Sequence, residues 1–180
     1  MQYFDKNRPM QTLLPSMQGV LRSPKDFFSQ LPPAAFHANA IFLATIIILA
    51  ASFIGVPFHS FSMLFMVPVS YGLGLIGLKA WSSYIGWATR SFGKAKLSNA
   101  NAFNISAYAS VPLVFSAVPI LGLISCLWSL YLMWVALVSR CHVKSSTAAI
   151  IIVIPAILFA ISATELVSFI FQLFPKLGQH

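Results

Sequence analysis

Charged residues, and acids above all, are scarce in this sequence. Of its 180 residues only 8% are charged and only 3 are aspartate or glutamate, whereas 58% are hydrophobic. A soluble domain carries about a quarter charged residues, so a water-soluble globular fold is excluded. So few carboxylates also exclude the usual acid and base chemistry of hydrolases and a cage for a hard cation. The composition is that of membrane helices.

Motifs for catalysis and metal binding are missing as well. The sequence has no phosphate-binding glycine loop with lysine, no serine-histidine-acid set and no HExxH pattern. The 4 histidines are scattered among different segments, whereas a zinc site needs three or four convergent ligands. Cys126 and Cys141, placed on one helix, would be about 22 Å apart, too far for a disulfide. We therefore expect no catalytic residues, no cofactor and no metal.

Long apolar runs are present instead, and they predict an all-α polytopic bundle of five transmembrane spans. A hydrocarbon core of about 30 Å requires about 20 apolar residues per helix. Residues 36–56 form the first such run, which Pro57 closes. The last run, residues 147–174, is long enough to span with a tilt or to leave a short interfacial tail.

The second span is predicted over residues 61–80. Beyond it, Trp81, Tyr84 and Trp87 recur at near-helical spacing, and aromatic residues of this kind favour the membrane–water interface. We therefore predict an amphipathic extension in the headgroup layer, ending at the loop of residues 93–101.

Residues 102–138 are apolar for about 37 residues, which as one helix would measure about 55 Å, nearly twice the hydrocarbon thickness. The chain must therefore fold back, and the prolines between Pro112 and Gly122 mark the break. Two short spans joined by a tight turn at the far face are favoured. The alternative is a re-entrant hairpin that stops inside the bilayer, where neighbouring protein must satisfy the broken backbone hydrogen bonds.

The basic residues fix an orientation for these spans. Of the 11 lysines and arginines, only Lys176 falls on the side opposite to the others. By the positive-inside rule, the N-terminus is cytoplasmic and the C-terminus is periplasmic or lumenal. The net charge of +8 is thereby explained by topology, and no nucleic-acid partner is expected. Binding of anionic lipid by this basic face is a further hypothesis.

We divide the chain into a cytoplasmic N-terminal segment, residues 1–35, and a membrane domain, residues 36–180. Ser23 followed by Pro24 predicts a helix start within the N-terminal segment. The helix is predicted to lie in the membrane interface on the cytoplasmic side, where it either packs on the bundle as a cap or docks a partner. Its apolar set is Val20, Leu21, Phe27, Phe28 and Leu31.

A polar stripe marks the last predicted span. Its members recur at helical spacing: Ser162, Glu165, Ser168 and Gln172. An ionisable group at membrane depth is a functional candidate, so the stripe is predicted to line a solute or proton path or to bind a polar partner. The alternative is a wetted or hydrogen-bonded helix end near the outer interface, where a charge costs little.

Residues 105–155 resemble the core of the Yip domain family of five-span membrane proteins, particularly its bacterial members. The likeness comprises an AYAxxP entry, an apolar run to a second proline with glycine, a YSLYL-like helix, a small basic loop and a final helix. The opening LRSPKDFF also resembles the family. The residues that carry the core likeness and that we predict to pack helices are Ala107, Tyr108, Ala109, Pro112, Pro119, Gly122, Trp128, Ser129 and Tyr131. Leu121, Leu130 and Leu132 belong to the likeness as well.

The resemblance implies a membrane protein whose eukaryotic relatives bind prenylated Rab GTPases and sort or shape vesicle membranes. This chain lacks their long acidic N-terminal region and DLYGP-like motif, so binding of a Rab GTPase is doubtful and a bacterial inner membrane is favoured. Small and hydroxyl residues on the helix faces predict packing against lipids, other membrane proteins or further copies. The leading hypothesis is a non-enzymatic subunit, scaffold or membrane organiser. The alternative is a transporter or channel for a small solute or protons, acting as a single chain or as a homo-oligomer.

Overall fold

A computed structural model describes residues 2–33, 38–58, 65 and 67–158 of the protein. The described residues form helices and connecting loops, with no strand among them. The all-α prediction is therefore confirmed. Short 3-10 segments at Val56–Phe58 and Val111–Phe115 follow the third and fifth α-helices. The α-helices are α1 (Pro9–Arg22), α2 (Pro24–Ser29), α3 (Ala38–Gly55), α4 (Val67–Ser91), α5 (Asn99–Ala109), α6 (Leu121–Ser139) and α7 (Ser145–Leu158).

The N-terminal helices form a cap on the bundle. As predicted, α2 begins at Pro24, whose fixed φ suits the first turn of a helix. It packs against α6, and α1 packs against α2. Phe27 and Phe28 have no exposed surface, whereas Leu21 is 41% exposed. This segment therefore packs on the bundle, whereas its place in the membrane interface stays a prediction.

Helix α4 contains the described part of the predicted second span together with the predicted extension. It runs unbroken over its 25 residues, Val67–Ser91, and so continues past Trp81. One face of its second half is buried in the bundle, where Ile85 and Ala88 have no exposed surface. Helix α5 covers this face, because small side chains allow the two helices to approach closely. The aromatic residues lie on α4 beside the buried face, and Trp87 is 52% exposed.

A helical hairpin follows, with its break where the prolines predict it. Helix α5 is mostly buried and continues into the 3-10 segment, and α6 returns from Leu121. Ser98 caps α5 by accepting a hydrogen bond from the Asn101 amide at 3.2 Å. The tip of the hairpin lies beside the end of α3, since a Cβ added to Gly55 would come 2.7 Å from the Cβ of Ala117.

Two of the described helices are long and apolar enough to cross a membrane by length and composition, α3 and α6. Helix α7 is a shorter apolar helix within the described residues. Side chains of the N-terminal cap share one buried cluster with described residues of α3 to α7.

Candidate functional site

The predicted packing motif of residues 107–131 divides into an inward half and an outward half. Ala107, Tyr108, Ala109 and Pro112 are buried, with at most 3% of the first three exposed. The Ser129 hydroxyl donates a hydrogen bond of 2.8 Å to the Ala109 carbonyl, which fastens α6 to α5. The structure therefore brings the two ends of the motif together across the hairpin.

Tyr108 links this hairpin to the N-terminal cap. Its hydroxyl accepts a buried hydrogen bond of 2.9 Å from the Phe4 amide. Its ring meets that of Phe27 with centroids 5.0 Å apart, in an edge-to-face arrangement favoured by aromatic quadrupoles. Tyr108 belongs to the sequence motif, but nothing in the motif indicates this partner, which is 104 residues away in the chain.

The turn of the hairpin contains the remaining inward residue of the motif. Gly122 is buried, and a Cβ there would come 2.4 Å from the Ser116 carbonyl oxygen, so a side chain is excluded. Pro119 is exposed at the tip. Between them Ile120 adopts φ 66°, an unusual backbone for a β-branched residue, which the tight turn imposes.

The outward half of the motif is an aromatic face on α6, which we call the α6 face. Trp128 is 41% and Tyr131 is 44% exposed. Their rings form a ladder with Trp134, with centroids 5.3 and 6.0 Å apart along the series. Trp134 donates its indole N–H to the Ser145 carbonyl at 3.2 Å, which holds the end of the ladder to the start of α7. The face continues with Leu123, Ile124 and Leu127, which are 55–69% exposed.

A cavity of about 1050 Å³ lies between the helices. Side chains from α3 to α7 line it, and most are apolar. The lining residues of the described chain include no charged residue. Ser106, only 1% exposed, has no hydrogen-bond partner for its hydroxyl among the described residues. The hydroxyl side chains that line the cavity are Ser52, Ser70, Tyr84, Ser106, Ser110, Ser116 and Ser129.

A family model of the Yip1 domain matches residues 19–165 of the chain, which is most of its length. The chain belongs to the Yip1 domain family. The resemblance drawn from residues 105–155 is thereby confirmed. No curated protein sequence and no solved structure matches the chain.

In this Yip1-family protein two arginines bind backbone groups at one end of the bundle. Arg90 donates to the Leu97 carbonyl at 2.7 Å and to the Asn99 side chain at 3.0 Å. Arg140 donates to the Leu31 carbonyl and so fastens the cap to the end of α6. Burial lowers the pKa of Arg140 from its ordinary value, with Cys141 and Tyr3 acting in the opposite direction. These arginines hold loops in place.

The polar stripe of Ser162, Glu165, Ser168 and Gln172 lies outside the described residues. Within the described ranges no group of three or more histidine, cysteine, aspartate or glutamate side chains is placed to hold a metal ion. The cavity of the Yip1-family bundle was not predicted from the sequence. The spacing of Ser70, Gly74 and Gly77 could have indicated it, because this spacing puts small residues on one face of α4.

We expect the Cys141 thiol to react slowly with a water-soluble maleimide at neutral pH. The side chain is half-buried just after α6, and burial raises its pKa to about 11, opposed by the nearby Arg140. Only the thiolate reacts, so the labelling rate should rise about tenfold per pH unit from pH 7 to pH 9 without levelling off. Mass spectrometry of the labelled Cys126→Ser variant measures this rate.

Denatured protein of the same variant is the control, because its thiol regains the ordinary pKa and labels faster. A native labelling rate that levels off near pH 8.5, the ordinary value for cysteine, would contradict burial of the thiol.

Proposed function

We propose that this Yip1-family protein is a non-enzymatic membrane protein of five spans that acts as a subunit, scaffold or membrane organiser. It packs exposed helix faces against other membrane proteins, further copies or lipids. The observation that carries the proposal is the α6 face, because Trp128 and Tyr131 belong to the motif that marks the family yet point away from the bundle. Ala107, Tyr108 and Ala109 of the same motif are buried.

Five spans are supported by the lengths and ends of the described helices. Helix α5 with its 3-10 segment extends about 26 Å at the usual rise per residue, close to a hydrocarbon core of about 30 Å. The tip of the hairpin also reaches the end of α3, at Gly55 and Ala117. We therefore favour two full spans over a re-entrant hairpin for residues 102–138.

The proposed orientation is an N-terminus in the cytoplasm and a C-terminus in the periplasm of a bacterial inner membrane. The contact of Arg140 with Leu31 supports it, because this contact joins the basic N-terminal segment to the basic loop after α6. The contacts of Arg90 lie at the loop after α4, which also carries Lys94 and Lys96. Loops rich in lysine and arginine remain on the cytoplasmic side.

Exposed apolar residues of a membrane helix face lipid by default, but the aromatic side chains of the α6 face favour a protein partner. Aliphatic side chains gain little by exchanging lipid for protein, whereas tryptophan and tyrosine are enriched among the residues that dominate interfaces. The ladder from Trp128 to Trp134 also fixes the rings before a partner arrives, which lowers the entropy cost of binding.

Trp128→Ala combined with Tyr131→Ala is expected to release a bound partner without unfolding the protein. Interface residues of this type contribute about 2 kcal/mol or more, which corresponds to about 30-fold weaker binding. The two side chains lie outside the buried core, so each loss should cost less than the roughly 3–5 kcal/mol of a fully buried aromatic residue. Native mass spectrometry of gently extracted protein measures the partner that travels with it at fixed stoichiometry.

The control is Leu73→Ala with Ile76→Ala, on α4, where both side chains are more exposed, at 65% and 67%. It should retain the partner. Equal loss in both variants, or a wild-type protein that travels alone, would contradict the role of the α6 face.

A further inference from the structure

Helix α1 packs on the bundle through a face that is largely polar. Thr12 and Ser16, two of its three buried residues, carry hydroxyls. The large apolar side chains point outward instead, since Met10 is 92%, Leu14 is 64% and Leu21 is 41% exposed. Of the apolar set predicted for this segment from the sequence, Leu21 alone is exposed. A helix that only packed on the bundle would bury its apolar face, so this arrangement indicates a second apolar surface beside α1.

Helical periodicity divides α1 into three sectors. At about 3.6 residues per turn, Met10, Leu14 and Leu21 lie within about 40° of one another and form an outward apolar stripe, which we call the α1 stripe. The stripe lies about 140° from the centre of the buried face. The third sector, centred about 80° beyond the stripe, is exposed and polar and contains Gln18 and Arg22. Protein, lipid and water are the three environments of a helix that lies beside a bundle at a membrane surface.

The chain that leads into α1 sets the depth of this helix. The ring of Phe4 stacks on that of Phe42 with centroids 6.0 Å apart, and the Lys6 amide donates to the Asn39 side chain at 3.4 Å. Both partners lie in the first turns of α3, which is long and apolar enough to cross a membrane. Helix α1 starts at Pro9, shortly after Lys6, and therefore at the level where α3 enters the bilayer. This level is the headgroup layer.

Basic side chains lie at both ends of α1. Arg8 is the residue before its first turn and Arg22 is its last residue, and both are exposed. The N-terminal segment contains four basic residues against two acids. Arginine binds phosphate through paired charge-assisted hydrogen bonds, so these ends suit the headgroups of anionic lipids. A second copy would bring the same charges together at this face, which disfavours a dimer.

We propose that α1 lies in the headgroup layer of the cytoplasmic leaflet and binds an anionic lipid surface. The α1 stripe is buried among the upper acyl chains, and Arg8 and Arg22 contact lipid phosphates. Both the buried apolar area and the electrostatic attraction strengthen the binding of such a helix. The inference rests on the cytoplasmic N-terminus and the membrane bundle of the proposed function, and it is independent of the partner at the α6 face.

Fluorescence quenching in vesicles tests the insertion. The full chain with Cys126→Ser and Cys141→Ser receives one new cysteine, either Leu14→Cys on the α1 stripe or Gln18→Cys in the polar sector as the matched control. Both positions are exposed, so a bimane label fits at either. The vesicles contain phosphatidylglycerol and a phosphatidylcholine whose acyl chains are brominated near the headgroup. The label on the stripe should be quenched at least about twofold more strongly, because an inserted apolar face lies about 5–10 Å deep.

Removal of the arginine charges tests the electrostatic part. Each basic residue near an anionic membrane surface strengthens binding about fivefold, so Arg8→Gln with Arg22→Gln should weaken insertion about 25-fold. This loss is measured as a higher fraction of phosphatidylglycerol needed for half-maximal quenching of the label on the stripe. Lys94→Gln with Lys96→Gln is the control, because it removes equal charge from exposed positions in the loop after α4. It should need the same fraction of phosphatidylglycerol as the chain with all its charges.

Three results would overturn the proposal. In the first, brominated lipid quenches the labels of Leu14→Cys and Gln18→Cys equally. In the second, quenching of the Leu14→Cys label is the same without phosphatidylglycerol. In the third, unlabelled Leu14→Cys protein forms a disulfide between two copies in the vesicles, which would place a second chain on the α1 stripe. None of these results changes the expectation for Trp128 and Tyr131, so failure here is distinguishable from failure of the proposed function.

Discussion

Replacing Phe27 by alanine is expected to lower the free energy of unfolding by about 3–5 kcal/mol, the usual cost of removing a fully buried phenylalanine. The side chain has no exposed surface, and it packs with three other rings. The centroids of Tyr3 and Tyr108 lie 5.0 Å from it and that of Phe28 lies 5.7 Å from it. The substitution therefore leaves a cavity where the cap packs against the hairpin.

The cap should separate from the bundle before the membrane helices do. The ring of Phe27 lies over Gly19 of α1, where an added Cβ would come 2.9 Å from it, so α1 loses its support as well. Trypsin should then cleave faster after the exposed Arg22 and Lys25. Thermal unfolding in mild detergent measures the stability, and limited proteolysis measures the release of the cap.

Phe53→Ala is the control for loss of a phenylalanine, because Phe53 is 57% exposed on α3. It should leave both the cleavage rate and the unfolding midpoint near those of the unmodified protein. A Phe27→Ala variant that resists trypsin and loses less than about 1 kcal/mol would contradict the packed cap, because a truncated core phenylalanine costs several times more.

Two features of the fold could be predicted because they depend on local chemistry. Proline fixes φ and lacks an amide donor, so Pro24 begins a helix and the run from Pro112 breaks one. The apolar run of residues 36–56 likewise gives α3, because its length matches the hydrocarbon core.

The faces of the helices could not be predicted in the same way. In a membrane protein both the lipid-facing and the protein-facing sides are apolar, so hydropathy does not separate buried Ala107 from exposed Leu123. The same ambiguity affected α4, where Trp81 and Tyr84 suggested a helix at the interface while small residues beside them packed against α5. Residue size is the better signal, because close helix contact requires small side chains.

The long-range contacts could not be predicted from the sequence either. The local sequence around Tyr3 and Phe4 does not predict their contacts with α2 and α5. Helix α1 was not predicted either, because it contains Pro15, and proline disfavours the interior of a helix. Tertiary packing overrides this local preference, since Thr12, Ser16 and Val20 of α1 are buried. The same packing gives the motif tyrosine at position 108 its partner.

Replacing Tyr108 by phenylalanine is expected to lower the free energy of unfolding by about 1–3 kcal/mol, although the ring and its packing are kept. The only atom lost is the hydroxyl oxygen that accepts the hydrogen bond of the Phe4 amide. Since Phe4 is 3% exposed, its amide is left without water as well as without an acceptor. A buried donor that loses its acceptor costs its full desolvation penalty.

Tyr131→Phe makes the identical chemical change within the same family motif, at a side chain that is 44% exposed, and it should alter stability by about 0.5 kcal/mol or less. Hydrogen exchange gives a second measurement, because the Phe4 amide should exchange about tenfold faster in Tyr108→Phe, or more, and at its original rate in Tyr131→Phe. Equal stabilities for the two variants would mean that the buried tyrosine contributes only its ring. A specific loss in Tyr108→Phe would instead assign the inward half of the motif to holding the cap, which leaves Trp128 and Tyr131 as the part of the motif available to a partner.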